Sequence, residues 1–123
     1  MGGMTIFFCF VSQIPHLTYC EEVVFDRMKE LRNILKQDLS KRGIKLSYMP
    51  LLIKATSQAL LSYPILNASI TEDGTGLIYH ADHNIGLAMD TPKGLIVPVI
   101  RQVQLKSIVE IAEELGQLQV RGC

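Results

Sequence analysis

The spacing of apolar residues changes twice along this chain, and the change limits the folds open to it. Up to Tyr63, apolar residues recur every three or four positions. From Leu66 to Ile100 they alternate or form dense runs, and from Leu105 the wider spacing returns. A period near 3.6 is typical of an amphipathic helix and a period of two of a strand. Because helices and strands do not alternate regularly, we predict an α+β fold, with antiparallel or mixed strands and helices on one face.

Three helices are predicted, over about residues 26–42, 48–63 and 105–119. Each has one apolar stripe that we expect to face the core. The stripes are, in chain order, Met28, Leu31, Leu35 and Leu39; Met49, Leu52, Ile53, Thr56, Ala59, Leu60 and Tyr63; and Leu105, Ile108, Ile111, Leu115 and Leu118.

Residues at the helix ends carry recognisable capping signals. Asp26 is suited to begin the first helix and Gly43 to end it. Ser47 is a plausible N-cap of the second helix. Ser107 and Glu110 have the spacing of a capping box, which predicts the start of the third helix nearby.

Four strands are predicted between the second and third helices, over residues 66–70, 77–80, 85–89 and 95–100. The stretch from Thr91 to Gly94 predicts a turn, because proline at its second position fixes φ in advance. Pro98 lies inside the last strand and cannot donate to a ladder, so an edge or a bulge is expected there.

Charge and cysteine usage exclude several functions. The chain has 123 residues, which indicates one domain, and its twelve basic and twelve acidic side chains cancel. Without a basic stripe, binding to nucleic acid is not expected. The three cysteines are scattered and have no ligand spacing, so no metal site is predicted.

The first thirteen residues are largely apolar but match no targeting pattern. They are too short to cross a bilayer, so no membrane partner is expected. They also lack the positive region of a secretory signal and the arginines of a mitochondrial transit peptide.

The residue pattern alone indicates no catalytic centre. No nucleophile–base pair, phosphate loop or metal cluster can be recognised, and His16, His80 and His83 are expected to have no catalytic role.

Six stretches, in matching order and spacing over about residues 14–119, resemble the acyltransferase core of the 2-oxo acid dehydrogenase complexes. The sequences of these stretches are most similar to those of the branched-chain members of that family. They are IPH with YCEE at 14–22, RGIKLSYMP at 42–50, KA at 54–55, PILNAS at 64–69, HNIGLAMDT at 83–91 and GLIVP at 94–98.

The resemblance implies a fold similar to chloramphenicol acetyltransferase, built as a trimer within a larger core. In that family coenzyme A and a dihydrolipoyl arm, carried on a separate domain, enter a channel between subunits from opposite sides. A histidine acts as general base on the thiol of coenzyme A, and a hydroxyl stabilises the oxyanion. Eukaryotic members are mitochondrial, which implies a location in the matrix.

The chain departs from the family where the chemistry is carried out. The family's histidine stands in a His-x-x-x-Asp-Gly motif, whereas the Asp73-Gly74 pair here follows Ser69 at that spacing. No catalytic residue is therefore assigned. We expect residues 14–123 to be the N-terminal part of the catalytic domain after a divergent segment, 1–13. Such a fragment would be inactive alone; the alternative is a non-enzymatic, truncated product or defective subunit that binds coenzyme A weakly.

The resemblance also implies four residues that bind coenzyme A, and each has a plainer alternative. Arg32 matches a phosphate-binding arginine but is also compatible with a solvated helix position. Ser47 could equally be the N-cap. Asp90 would accept a hydrogen bond from a ligand hydroxyl or amino group, or from nearby backbone in a turn. Gln119 lies late in the third helix, where fraying is expected.

Overall fold

The computed structural model describes residues 15–92 and 94–122, so the apolar segment 1–13 lies outside the described residues. The described part contains the three predicted helices: α1 (Asp26–Lys41), α2 (Met49–Ser62) and α3 (Ile108–Gly122). Short 3-10 turns at Pro64–Asn67 and Val103–Leu105 precede the first strand and α3. These turns occupy residues that had been predicted as the beginning of a strand and the beginning of the third helix.

Six short strands lie between α2 and α3, and every pairing among the described strands is antiparallel. They form three separate two-stranded ladders, so the antiparallel alternative is confirmed, the mixed sheet is wrong, and the α+β class is confirmed. The strands are β1 (Ala68–Ile70), β2 (Leu77–Tyr79), β3 (Ile85–Gly86), β4 (Met89–Thr91), β5 (Gly94–Ile96) and β6 (Val99–Ile100).

The last four strands form one long hairpin that is interrupted at its middle. The β3–β6 and β4–β5 ladders share one register, which runs without a slip from Ile85 opposite Ile100 to Thr91 opposite Gly94. Between the ladders, the amide of Leu87 donates to the carbonyl of Pro98 at 3.0 Å. Pro98 has no N–H to return that bond. The unbroken register contains no bulge, and Pro98 lies between β5 and β6, each of which has one partner among the described strands, so of the two alternatives the edge is confirmed.

The end of α1 shows why the chain needs a glycine at position 43. Gly43 has φ +75°, a conformation that side chains disfavour. Its amide donates to the carbonyl of Ser40 at 3.1 Å, and the amide of Ile44 donates to that of Leu39 at 3.0 Å. This pair of bonds is a Schellman motif, so the predicted end of the first helix is confirmed.

Two predicted N-caps were wrong by one residue, and one was right. Phe25 and Tyr48 occupy the N-cap positions of α1 and α2, and neither makes a side-chain capping bond. Asp26 instead lies in the first turn, where its negative charge interacts favourably with the positive end of the helix dipole. Before α3 the capping box forms as predicted: the Ser107 amide donates to Glu110 Oε2 at 2.7 Å, and the Glu110 amide donates to Ser107 Oγ at 3.3 Å.

The core forms where α2, α3 and one face of the long hairpin meet. Its buried members are Ile53, Ile100, Val103, Ile111 and Leu115. A second cluster joins the end of α1 to α3 and contains Leu39, Leu46 and Ala112. The opposite face of the hairpin is exposed, and it carries the apolar side chains Leu95, Val97 and Val99.

The buried face of α2 differs from the predicted stripe. Thr56, Ala59 and Tyr63 are exposed, whereas Ser57 is fully buried on the inner side. Ser57 Oγ lies 2.8 Å from Nδ1 of His83, which is also buried. A polar residue is tolerated on the inner face because it has a partner there.

Lys54 extends from the same helix to the turn before α3. Its ammonium donates to the carbonyls of Val103, Gln104 and Lys106 at 3.1, 3.3 and 2.7 Å. An ammonium has three donors, so this turn uses all of them. Gln104 in turn accepts from the amide of His83 at 2.9 Å, which links the turn to the start of the hairpin.

The capping box predicts a pH-dependent stability. Hydrogen bonds from the backbone and side chain of Ser107 lower the pKa of Glu110 from 4.5. Because the folded-state pKa is the lower one, this stabilisation is present above the unfolded value and lost as pH falls through the folded value. We expect the Tm of the wild type to fall more steeply than that of Glu110→Gln between about pH 6 and about pH 3. Parallel melting curves across that range would contradict this.

The buried serine–histidine pair predicts a second effect on stability. Ser57→Ala leaves Nδ1 of His83 buried without its partner, which should lower the free energy of unfolding by about 1–3 kcal/mol. Thr56→Ala is the matched control, because it removes a neighbouring hydroxyl on the exposed side of α2 and should cost less than about 0.5 kcal/mol. Denaturant melts would measure both, and equal losses would refute the assignment.

Candidate functional site

Along the described part of the chain, two neighbouring clefts lie between α3, the long hairpin and the residues that precede α2. The larger, here the main cleft, has a volume of about 910 Å³. The smaller, here the side cleft, has about 360 Å³ and lies at the turn end of the hairpin. Met89 and Gln119 line both clefts, so the two lie side by side.

The main cleft combines an apolar floor with a polar rim. The floor is formed by α2, the hairpin and α3, through Met49, Leu87, Met89 and Leu115. Polar groups at the rim include one cation and one anion, Lys45 and Glu113. A cleft with this lining suits a ligand that has both apolar and polar parts.

Three of the four residues assigned from the resemblance line these clefts. Ser47 lines the main cleft just before α2, and Gln119 lines both clefts from α3. Asp90 lines the side cleft from β4, opposite Leu95 in the hairpin ladder. All three side chains are exposed. The fold thus brings together residues that are 72 positions apart at most, and the site is assembled by tertiary packing.

Arg32 lies beside the main cleft and does not line it. Its Nε donates to the carbonyl of Leu46 at 3.2 Å, and its Cζ lies 4.5 Å from the centre of the Tyr48 ring. Leu46 stands between Lys45 and Ser47, which both line the main cleft. Arg32 is therefore partly buried and held against the cleft-lining segment, which does not fit the alternative of a solvated helix position.

The carboxylate with a strongly lowered pKa belongs to a turn outside both clefts. Hydrogen bonds from Thr71 and Thr75 lower the pKa of Asp73 to about 2. These bonds close the connection between β1 and β2, where Gly74 has φ +71°. The shift therefore reflects turn geometry, and Asp73 is not a candidate acid or base.

Two serine–histidine hydrogen bonds were missed by the sequence reasoning. Besides Ser57 with His83, Ser69 Oγ lies 2.7 Å from Nε2 of His80 across the β1–β2 hairpin. Separations of 26 and 11 residues give no sequence signal for such pairs. None of these four residues lines either cleft of the described structure, so neither pair is arranged as a nucleophile with access to a ligand.

Within the described residues, no three histidine, cysteine or acidic side chains are grouped closely enough to hold a metal ion. No described helix has the length and apolar character needed to cross a membrane.

A protein-family model described as 2-oxoacid dehydrogenases acyltransferase (catalytic domain) matches residues 10–122. The lipoamide acyltransferase component of the mitochondrial branched-chain alpha-keto acid dehydrogenase complex of Bos taurus is 53% identical over 110 residues. That match covers 89% of this chain and 23% of the bovine protein, so the chain spans about a quarter of the relative's length.

Two solved structures share the fold. The dihydrolipoamide acetyltransferase of Azotobacter vinelandii superposes with a TM-score of 0.84 at 37% identity, over 94% of this chain and 48% of the other. The cubic core of a pyruvate dehydrogenase multienzyme complex gives a TM-score of 0.80 at 36% identity, over 94% of this chain and 49% of the other.

Two glycines that line the main cleft, Gly43 and Gly116, should respond to alanine with opposite changes in stability. Gly116 lies within α3 and lines the main cleft, and apart from its chain neighbours and the nearby backbone of α3, no described atom lies within 4 Å of the position of an added Cβ. Gly116→Ala should therefore raise the free energy of unfolding by about 0.5–1 kcal/mol, because alanine favours a helix. Gly43→Ala, the control, should lower it, because φ there is +75°. Denaturant melts that show the same sign for both would contradict this account.

Proposed function

This chain belongs to the acyltransferases of the 2-oxoacid dehydrogenases, and we propose that it supplies the coenzyme A-binding part of their catalytic domain. The observation that supports the proposal most strongly is the grouping of Ser47, Asp90 and Gln119 around two adjacent clefts, with Arg32 beside the main cleft. In domain terms, residues 14–123 correspond to the N-terminal part of that catalytic domain.

We propose that the reaction served is transfer of a branched acyl group from dihydrolipoamide to coenzyme A. The bovine branched-chain relative is 53% identical, whereas the two pyruvate-type structures are 37% and 36% identical. The lipoyl group would be presented by a separate domain. On the same grounds we propose a chloramphenicol-acetyltransferase-like trimer within a larger core, located in the mitochondrial matrix.

The four residues can divide the recognition of coenzyme A between them by chemistry. A guanidinium pairs with phosphate oxygens, which assigns Arg32 to an anionic group of the ligand. Ser47 can donate or accept a hydrogen bond, and Gln119 can do both at once. Asp90 as a carboxylate only accepts, so its partner must be a hydroxyl or amino group. The apolar floor of the main cleft would accommodate the uncharged part of the ligand.

The proposed role of this chain is to bind and orient the ligand. Deprotonation of the thiol requires a base within hydrogen-bond reach of it. Among the described residues that line the clefts there is no histidine, because His80 and His83 are engaged elsewhere. A second candidate function is a chain that binds coenzyme A without supplying the base, which is favoured by the lining of the two described clefts.

Titration calorimetry with coenzyme A tests the proposal directly. The wild-type chain should bind, and Arg32→Ala should weaken binding roughly ten- to hundredfold, because a charged hydrogen bond contributes about 1.5–3 kcal/mol. Arg27→Ala is the matched control: Arg27 is an exposed arginine five positions earlier in α1, and its loss should change the Kd less than about twofold. Equal weakening by both variants would indicate only a general charge effect.

A pair of variants at Gly116 tests whether the ligand occupies the main cleft. Gly116→Leu would place a large side chain in the cleft and should abolish binding, whereas Gly116→Ala should retain it. Both variants should remain folded by circular dichroism. Undiminished binding to a folded Gly116→Leu would place the ligand elsewhere, and the absence of binding to a folded wild type would overturn the proposal.

A further inference from the structure

We infer that Tyr48 is a positioning residue that fixes the Arg32 guanidinium for recognition of an anionic group of the ligand. The inference rests on the proposed function, because it assigns Arg32 to the bound coenzyme A. It adds a residue outside the four ligand-binding positions, and it gives that residue a mechanism that acts through another side chain.

Two contacts restrict the guanidinium in different directions. Arg32 Cζ lies over the ring of Tyr48, 4.5 Å from the ring centre, a distance at which a cation is attracted to an aromatic ring. The carbonyl of Leu46 accepts from Nε at 3.2 Å and fixes one edge of the plane. A ring contact at Cζ and a hydrogen bond at Nε together restrict both the position and the rotation of the guanidinium.

The ring of Tyr48 also contacts a second aromatic ring. The ring of Phe25 approaches it edge-on, with centres 5.3 Å apart and planes inclined at 60°. This arrangement is one that aromatic pairs favour. Phe25 immediately precedes α1 and Tyr48 immediately precedes α2, so the stack joins the starts of the two helices. The platform under Arg32 is thus part of the helix packing.

The donors that remain on Arg32 are available to a ligand. Within the described residues, Arg32 makes its one hydrogen bond through Nε and takes part in neither ion pair, so Nη1 and Nη2 keep their donors. Those two nitrogens form the fork that pairs with two phosphate oxygens. Holding a long side chain in place before binding lowers the entropy lost when the complex forms.

Three consecutive residues link the contacts of Arg32 to the main cleft. Leu46 supplies the carbonyl for Nε, Ser47 lines the cleft, and Tyr48 supplies the ring. A displacement of Tyr48 would therefore move the guanidinium relative to the hydroxyl of Ser47. The hydroxyl of Tyr48 makes no hydrogen bond within the described part of the chain, so the ring face is the element that acts.

Calorimetric titration of the full chain with coenzyme A, using Tyr48→Phe and Tyr48→Leu, tests the inference. Tyr48→Phe keeps the ring face and should bind like the wild type. Tyr48→Leu removes it and should weaken binding roughly three- to tenfold, the range that one cation–π contact predicts. In the Arg32→Ala background, Tyr48→Leu should cause no further loss, because Tyr48 acts through Arg32.

A spectroscopic readout separates positioning from a general loss of structure. The ring should shift the Arg32 Nε–H proton resonance upfield in the wild type and in Tyr48→Phe, and Tyr48→Leu should abolish that shift while the other amide resonances of α2 persist. If Arg32→Ala weakens binding but Tyr48→Leu does not, or if the two losses add, the inference fails and the proposed function stands. If the folded wild type does not bind coenzyme A, both fail.

Discussion

The arrangement of this fold depends on the hydrogen bonds that the Lys54 ammonium donates. Its bonds to the carbonyls of Val103, Gln104 and Lys106 fix the turn between the hairpin and α3 to the middle of α2. The turn determines where α3 begins, and α3 forms one wall of both clefts. A charge that is partly buried must be fully hydrogen-bonded to be tolerated, so the turn has little freedom to move. A side chain outside the clefts therefore helps to position one of their walls.

Local signals made the helices predictable, and tertiary contacts changed their details. Gly43 and the pair Ser107 and Glu110 act within a few residues, so their consequences could be predicted from spacing alone. The inner face of α2 could not, because Ser57 is buried through a partner 26 residues away. The spacing of the stripe predicted that Thr56 faces the core. In the structure Ser57 is buried instead, because its hydroxyl has a hydrogen-bond partner there.

The strands and the site show the same limit. The predicted run from 95 to 100 is two short strands, because Pro98 lacks the donor that would continue the ladder. For the site, no physical pattern in the sequence joined Ser47 to Gln119; only resemblance did, and their common position at the main cleft appears once α3 packs against α2. The stacking of Arg32 on Tyr48 had no signal at all, since a separation of 16 residues between two helices implies no contact.

The gap at Pro98 divides the long hairpin into two arms. The arm made of β3 and β6 is anchored in the core through Ile85 and the fully buried Ile100. The arm made of β4 and β5 carries Asp90 at the side cleft, and the bond from Leu87 to Pro98 connects the arms where a complete ladder would have two. Segments with fewer backbone hydrogen bonds open at lower free energy. The junction beside Pro98 is therefore where the hairpin opens most readily, and it separates the arm at the side cleft from the arm in the core.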